Sequence, residues 1–283
     1  MGLDQFYTKP EAVDRVLPLI DCSLFDYVVE PSAGAGDFLR RLPKATRVGI
    51  DLEPADPEIK KGDFFDFKPA TTENVLTIGN PPFGKNSSLA VKFFNHAASF
   101  SDFIAFIVPR TFRKPSIINR LHQNFHLTKE LILPLNSFYT PEGEDYEVPT
   151  VFQVWEWKPE LREKIARLQS HPDFEFVSIG AKPSSQEKEL QRQNADFCVR
   201  RVGAAAGKVF DCRGEKYRDF KSHYYIRAWE SEVCALMESI VWDYEESPKY
   251  DTAGNPSVSK DDLIRFYIER KRQSEDAVVN ESR

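Results

Sequence analysis

The chain has 283 residues, 41% of them hydrophobic, a net charge of −6 and four cysteines. That supports one good core and a smaller second one, while the lack of a bilayer-length apolar run or a signal peptide at Met1-Gly2-Leu3-Asp4 excludes a membrane protein or secreted one and predicts an intracellular chain, cytoplasmic or in the nucleoid or nucleus. Cys22, Cys198, Cys212 and Cys234 form no Cys-x-x-Cys pair and have no histidine at ligand spacing, so reduced structural thiols are expected, with no metal and no disulfide.

Tyr27–Glu30 reads as a strand that runs through Pro31-Ser32-Ala33 into Gly34-Ala35-Gly36, then into a helical start at Asp37-Phe38-Leu39. Gly34 and Gly36 let the backbone come close to a ligand. Alone the loop is a weak signal, since it has neither the G-x-G-x-x-G spacing of a dinucleotide loop nor the Gly-Lys-Ser/Thr of a phosphate loop. The next strand, Arg47–Asp51, ends in a carboxylate about 20 residues past the loop, where nucleoside-binding α/β folds grip a ribose diol. Loop and carboxylate together predict a nucleoside site. Gly62-Asp63-Phe64-Phe65-Asp66 then offers Asp63 and Phe64 to an adenine amino group and ring face, with a solvated loop acid and a plain core ring as the alternatives.

The apolar run Val75–Gly79 ends in Asn80-Pro81-Pro82-Phe83, the stretch that names a chemistry. Each proline fixes φ and donates no N–H, so the turn is stiff and its carbonyls face outward. The Asn80 side-chain oxygen and the Pro81 carbonyl could then accept the two N–H groups of a planar amine, with the Phe83 ring stacked on the attached heterocycle. The competing reading is a proline turn closing a buried strand, with Phe83 as core.

Further strands are expected at Phe103–Val108, Leu131–Leu135 and Val148–Trp157, with a helix over Ser87–Ser99, which together predict a doubly wound α/β sheet. Such sheets bind ligands at the carboxyl ends of their strands, where the glycine loop, Asp51 and Asn80 all fall. Arg110, Arg113, Lys114 and Arg120 follow one strand and read either as contacts to a substrate backbone or as solvated surface. The polar stretch Asn136–Glu147 reads as a long loop beside the pocket, and Phe138, Tyr139 or Tyr146 could wall an extracted base or simply pack the loop.

Beyond Lys158 the pattern changes. A helix (Pro159–Ser170), a short strand (Phe174–Ile179) and a mobile polar linker (Ala181–Gln191) are expected, followed by strands Phe197–Val202 and Tyr224–Ala228. The small-residue loop Gly203–Lys208 between them reads as a backbone approach to phosphates or as a plain hairpin connection. Between Gln191 and Arg227 the bases Arg192, Arg200, Arg201, Lys208, Arg213, Lys216, Arg218, Lys221 and Arg227 outnumber Asp196, Asp211, Glu215 and Asp219. The overall acidity therefore hides a basic region. Trp229, Val233, Leu236, Met237 and Ile240 keep helical spacing as core, and a last helix, Lys260–Arg272, is capped by Ser259 before a frayed tail.

The order glycine loop, Asp51, Asp63, Asn80-Pro81-Pro82-Phe83 resembles the class I S-adenosylmethionine-dependent methyltransferases that methylate amino groups. Gln5-Phe6-Tyr7-Thr8-Lys9-Pro10 resembles the N-terminal segment that closes over the methionine end of the cofactor in the DNA N6-adenine enzymes of gamma-like order. The resemblance covers about the first 158 residues and thins out after Trp157. It implies a Rossmann-like, mostly parallel seven-stranded sheet in a catalytic domain (1–158), with a smaller α+β region (159–283) for target recognition. It implies S-adenosylmethionine as cofactor, held by Phe6, Tyr7, Thr8, Pro10, Glu30, Ser32, Gly34, Gly36, Asp51, Leu52, Asp63, Phe64 and Asn80, with catalysis at Asn80, Pro81, Pro82 and Phe83. Nucleic acid, DNA before RNA, is the implied partner, contacted by Phe83, Arg110, Arg113, Phe138, Tyr139, Arg201 and Lys208, with a specificity subunit or a homodimer left open. RNA adenine, protein glutamine and cytosine N4 methylation are the alternatives, ahead of a non-catalytic binding platform.

Overall fold

The computed structural model describes residues 6–212, 218–252 and 254–281, with side chains as far as Ala277. Gln5 and, in the basic region, Arg213, Glu215 and Lys216 lie outside the described residues. The chain divides into two compact units, Met1–Ile165 and Ala166–Arg283.

In the first unit β1 (Tyr7–Thr8) leads into α1 (Pro10–Val16), then β2 (Tyr27–Pro31), β3 (Arg47–Asp51), β4 (Lys60–Lys61) and β5 (Val75–Gly79). Next come α2 (Ser88–Ala97), β6 (Phe103–Pro109), α3 (Pro115–Ile118), β7 (Phe125–Ile132), β8 (Phe138–Tyr139), β9 (Asp145–Tyr146) and β10 (Thr150–Trp157). Seven of these strands form one sheet in the order β4-β3-β2-β5-β6-β10-β7. The first five run parallel, and β10 is antiparallel to both β6 and β7. This is a doubly wound, mostly parallel α/β sheet. Its central strands are largely apolar because both faces are covered. Ile104, Phe106 and Val108 of β6 pack with α2 on one face, while Ala105 and Ile107 pack with Val13 and Val16 of α1 on the other.

Three expectations for the first unit change. The strand expected at Leu131–Leu135 is β7, which starts at Phe125 and is half exposed over His126–Glu130. An edge strand shows no clean apolar run, so pairing with β10 rather than composition defines it. The stretch Asn136–Glu147 is not an open loop, because β8 and β9 pair as a hairpin and β8 pairs with β1. Nor does a helix form over the part of Pro159–Ser170 in this unit. Asn119 exchanges two hydrogen bonds of 2.9 Å with the Ile165 backbone, and the Arg162 guanidinium donates to the Ile118 carbonyl at 2.8 Å. These contacts hold the segment extended against its helical spacing.

The second unit contains β11 (Phe174–Phe176), α4 (Ser185–Gln193), β12 (Phe197–Arg200), β13 (Val209–Phe210), β14 (His223–Ala228), α5 (Val233–Glu238) and α6 (Lys260–Glu281). Its antiparallel sheet has the order β11-β14-β12-β13, and one face packs on α5 and α6 through Phe197, Val199, Ile226, Met237, Leu263 and Tyr267. The helical expectation fails here too, since residues 166–170 are not helical. The expected linker is the helix α4, opened by a capping box in which Ser184 and Glu187 each accept the other's backbone N–H. The tail after Arg272 continues α6 to Glu281, and Ser259 caps that helix through the Asp262 N–H at 3.1 Å. Among the described residues no helix is long and apolar enough to cross a membrane.

Candidate active site

The carboxyl ends of β2, β3 and β5 converge on one side of the sheet. Past β2 the chain turns through Ser32 (φ +53°) and Gly34 (φ +53°), left-handed conformations that a side chain resists. A Cβ on Gly34 would lie 2.7 Å from the Tyr7 ring, so the bare glycine lets the N-terminal segment close onto the loop. Asp51, at the end of β3, fixes the loop from below. Its carboxylate accepts the Gly34 N–H and the Glu53 N–H, each at 2.8 Å. Asp63 accepts the Phe65 N–H at 2.9 Å and so starts the short turn carrying Phe64 and Phe65. At the end of β5, Gly79 (φ +151°) admits Glu30, whose Cγ would sit 3.2 Å from a Cβ there.

These ends enclose a cleft of about 260 Å³. Gly34, Asp51, Leu52, Asp63, Phe64, Asn80, Pro81 and Pro82 all line it, with Phe6, Tyr7 and Ser32. Ile50, Glu53, Phe65, Leu89 and Phe93 line it as well and were missed by the sequence reading. Phe64 lies face to face with Phe93 at 5.1 Å, and Phe65 meets Phe93 edge-on at 5.0 Å. Phe93 sits on α2, which follows the proline turn, and no local signal marks it apart from core.

Beside the cleft is a smaller polar recess of about 30 Å³, lined by Thr8, Glu30, Ser32, Asp37 and Asn80 among others. Asn80 lines both spaces. Its Oδ1 is buried with no hydrogen-bond partner, and so is Oε2 of Glu30. A buried polar atom without a partner costs about 1–3 kcal/mol, so two acceptors bordering one recess mark a place for N–H donors. Burial pushes the Glu30 carboxyl well above the ordinary carboxylate range, against the Leu39 backbone N–H that opposes it. Desolvation disfavours the charged form of a carboxyl buried this deeply.

The N-terminal segment forms the roof. Phe6 stacks on Tyr146 at 4.9 Å and meets the rings of Phe83 and Phe138 edge-on, each at 5.2 Å. Lys9 pairs with Asp145 at 2.6 Å. The Tyr139 hydroxyl donates to Asp37 at 2.9 Å, and burial, reinforced by that hydrogen bond, pushes its pKa up to about 12.

Several residues named from the sequence stand elsewhere. Phe138 is fully buried among core side chains, and Tyr139 is spent on Asp37, so neither offers a free wall to a base. Phe83 is half-buried against the core and touches Phe6 rather than lining the cleft. Pro10 opens α1, and the missing side chain of Gly36 faces Arg40, Asp56 and Ile59 instead of the cleft. Arg110 is buried, and Arg113 pairs with Glu130 at 3.0 Å, which ties both into the fold and away from a passing phosphate chain. Arg201 and Lys208 belong to the second unit.

No family model and no curated protein matches this chain. Among solved structures it is similar to a protein from Pyrococcus horikoshii provisionally assigned as an RNA methyltransferase (19% identity, TM-score 0.41, covering 55% of this chain and 87% of that one). It is also similar to the 23S rRNA methyltransferase ErmE (14%, 0.39, 56% and 71%). A third is the magnesium protoporphyrin IX methyltransferase ChlM from Synechocystis PCC 6803 with bound SAM (13%, 0.40, 53% and 79%). Likeness this distant assigns no activity.

Proposed function

We propose that the first unit is an S-adenosylmethionine-dependent methyltransferase acting on the exocyclic amine of adenine in DNA. The observation that carries the reading is the buried, unpartnered Oδ1 of Asn80 at the junction of the cleft and the polar recess. An acceptor kept dry and unpaired at that position suits a planar amine, whose N–H groups would satisfy it together with the Pro81 carbonyl.

The lining fits the cofactor end to end. The rings of Phe64, Phe65 and Phe93 suit a purine, the Asp51 carboxylate a ribose diol, and Glu30 with Thr8 an amino-acid ammonium in the recess. When bound, the cofactor supplies a methyl group on a sulfonium, so the protein needs no nucleophile of its own. Asn80 and Pro81 act on the other partner. An adenine amine is a poor nucleophile because its lone pair is delocalised into the ring. Accepting both N–H groups would favour a more tetrahedral nitrogen with a localised pair, poised to take the methyl group that a bound sulfonium would supply while the amine proton passes to solvent. The gain comes from alignment and from fixed dipoles around the nitrogen. In duplex DNA the base must leave the stack, at a cost of a few kcal/mol.

The order of the motifs and the Phe6-Tyr7-Thr8 roof support DNA over RNA as substrate. Tritiated methyl transfer offered in parallel to DNA, RNA and total protein, followed by nucleoside mass spectrometry, tests it. N6-methyladenine in DNA is the expected product. Label confined to RNA or to protein overturns the DNA assignment, and absence of calorimetric binding to S-adenosylmethionine overturns the enzymatic one.

A further inference from the structure

In the second unit two cations lie on adjoining rings, with no counter-ion among the described residues. Arg201 follows β12, and its backbone is fixed by the Ser222 carbonyl and the Val258 N–H, each at 2.9 Å. Lys260 begins α6 two residues after Val258. The Arg201 guanidinium carbon is 5.4 Å from the centroid of the Tyr224 ring, and the Lys260 Nζ is 4.4 Å from that of Phe176. Those two rings meet edge to face at 5.5 Å. Stacking on a ring occupies the face of a guanidinium and leaves its in-plane N–H donors unspent.

Both side chains are half-buried, and Arg201 Nε is buried with no hydrogen-bond partner. The acids in the first turn of α6 are committed elsewhere. Asp261 accepts the Leu168 N–H at 2.6 Å and the Arg265 guanidinium at 3.1 Å. Asp262 accepts the Ser259 N–H at 2.8 Å and its hydroxyl at 2.7 Å. Burial, reinforced by the neighbouring Arg201 charge, holds the Lys260 ammonium below its usual range. Like charges on adjoining rings are unfavourable, and an oxyanion bound by both cations relieves the repulsion. A guanidinium fork beside a point-charge ammonium is the donor set that phosphoryl oxygens take.

We propose that Arg201 and Lys260 form a phosphate-binding site whose ligand is the backbone of a nucleic acid. The proposal rests on the second unit alone and holds whether or not the first unit transfers methyl groups.

Binding of a fluorescein-labelled single-stranded oligonucleotide to the full chain, without cofactor and across a salt series, tests it. The double variant Arg201→Gln, Lys260→Gln should bind about tenfold more weakly, and its log–log salt slope should be shallower by about 1. Arg201→Lys, which keeps the charge and loses the fork, should fall between. A double variant with the parent's melting transition, affinity and salt slope would overturn the site. The unmodified chain supplies a second arm: inorganic phosphate, compared with chloride at equal ionic strength, should raise its melting temperature and displace the oligonucleotide. Indifference to phosphate in both respects overturns the proposal even where the variant fails to fold. Phosphate binding without oligonucleotide binding overturns the nucleic-acid assignment and points to a small phosphorylated ligand.

Discussion

Glu30→Gln tests the polar recess by its proton balance. Glu30 is 3% exposed, its Oε2 has no partner, and burial raises its pKa well above the usual carboxylate value. The charges of Asp37 and Asp51 push the same way, and the Leu39 N–H and Arg40 oppose them. A folded-state pKa above the unfolded one means that the native state binds the extra proton. Stability is then fully present below the unfolded pKa and falls as pH rises from there toward the folded pKa. One such group contributes a slope of up to about 1.4 kcal/mol per pH unit. Glutamine keeps the shape of the neutral acid and cannot ionise. Denaturant midpoints measured from about pH 5 to about pH 8 should therefore fall less steeply for the variant, leaving it more stable than the parent at the alkaline end. Parallel pH slopes for the two proteins would refute the reasoning. The same proton reports on the ligand: an ammonium placed against Glu30 favours its carboxylate, so cofactor binding should release a proton and tighten with rising pH in the parent only. Calorimetry in buffers of different ionisation enthalpy measures that release.

Other perturbations separate chemistry from scaffold. Asn80→Ala removes a buried acceptor that makes no hydrogen bond, so the fold should gain about 1 kcal/mol while turnover drops by about 10²–10³ with cofactor affinity retained. Denaturant melts beside single-turnover rates check both halves, and loss of stability would show that the amide serves the fold. Gly34→Ala must adopt φ +53° and push the Tyr7 ring away, so cofactor titration should show weaker binding and melting should show a loss of about 1–2 kcal/mol. Ser184→Ala breaks the capping box of α4 and should cost about 1 kcal/mol locally, read as faster amide exchange along Ser185–Gln193. Equal, unprotected exchange in parent and variant would restore the mobile linker.

The parallel strands β2, β3, β5 and β6 were legible because burial leaves them as largely apolar runs ended by glycine, proline or a carboxylate, whereas β4, two exposed lysines, was missed. Val75–Gly79 is buried at every position, and its bounds could be read directly from the sequence. Where one face meets solvent the signal fades, as in β7, whose Lys129 and Glu130 look like loop. Local rules also fail where distant side chains decide the backbone. The spacing of Leu161, Ile165 and Leu168 is helical, yet Asn119 and Arg162 hold the chain extended around Ile165. The helix α4 was the reverse case. Ser184-x-x-Glu187 is a capping signature written in the sequence, but with Gln191 as the only buried residue the helix has no apolar stripe to announce it.

The site divides along the same line. Its polar atoms were readable because Asn80, Asp51 and Asp63 sit at strand ends or turn starts, positions that sequence spacing fixes to within a residue or two. Its walls were read only in part: Phe6 and Phe64 were named from the sequence, whereas Phe65 and Phe93 were not. Phe93 reaches the cleft from a helix, and it is one of the chain's 22 phenylalanines, many of which serve only as core. The same ambiguity explains why Phe138 looked like a wall and is buried, while Phe65, next to the favoured Phe64, faces the cleft unannounced. A carboxylate or amide at a strand end has few uses other than a ligand or a turn, whereas an aromatic ring has the whole core as an alternative. Chemistry is therefore more legible than shape in this chain, and the shape of the cleft had to come from the packing of α2 and the N-terminal roof.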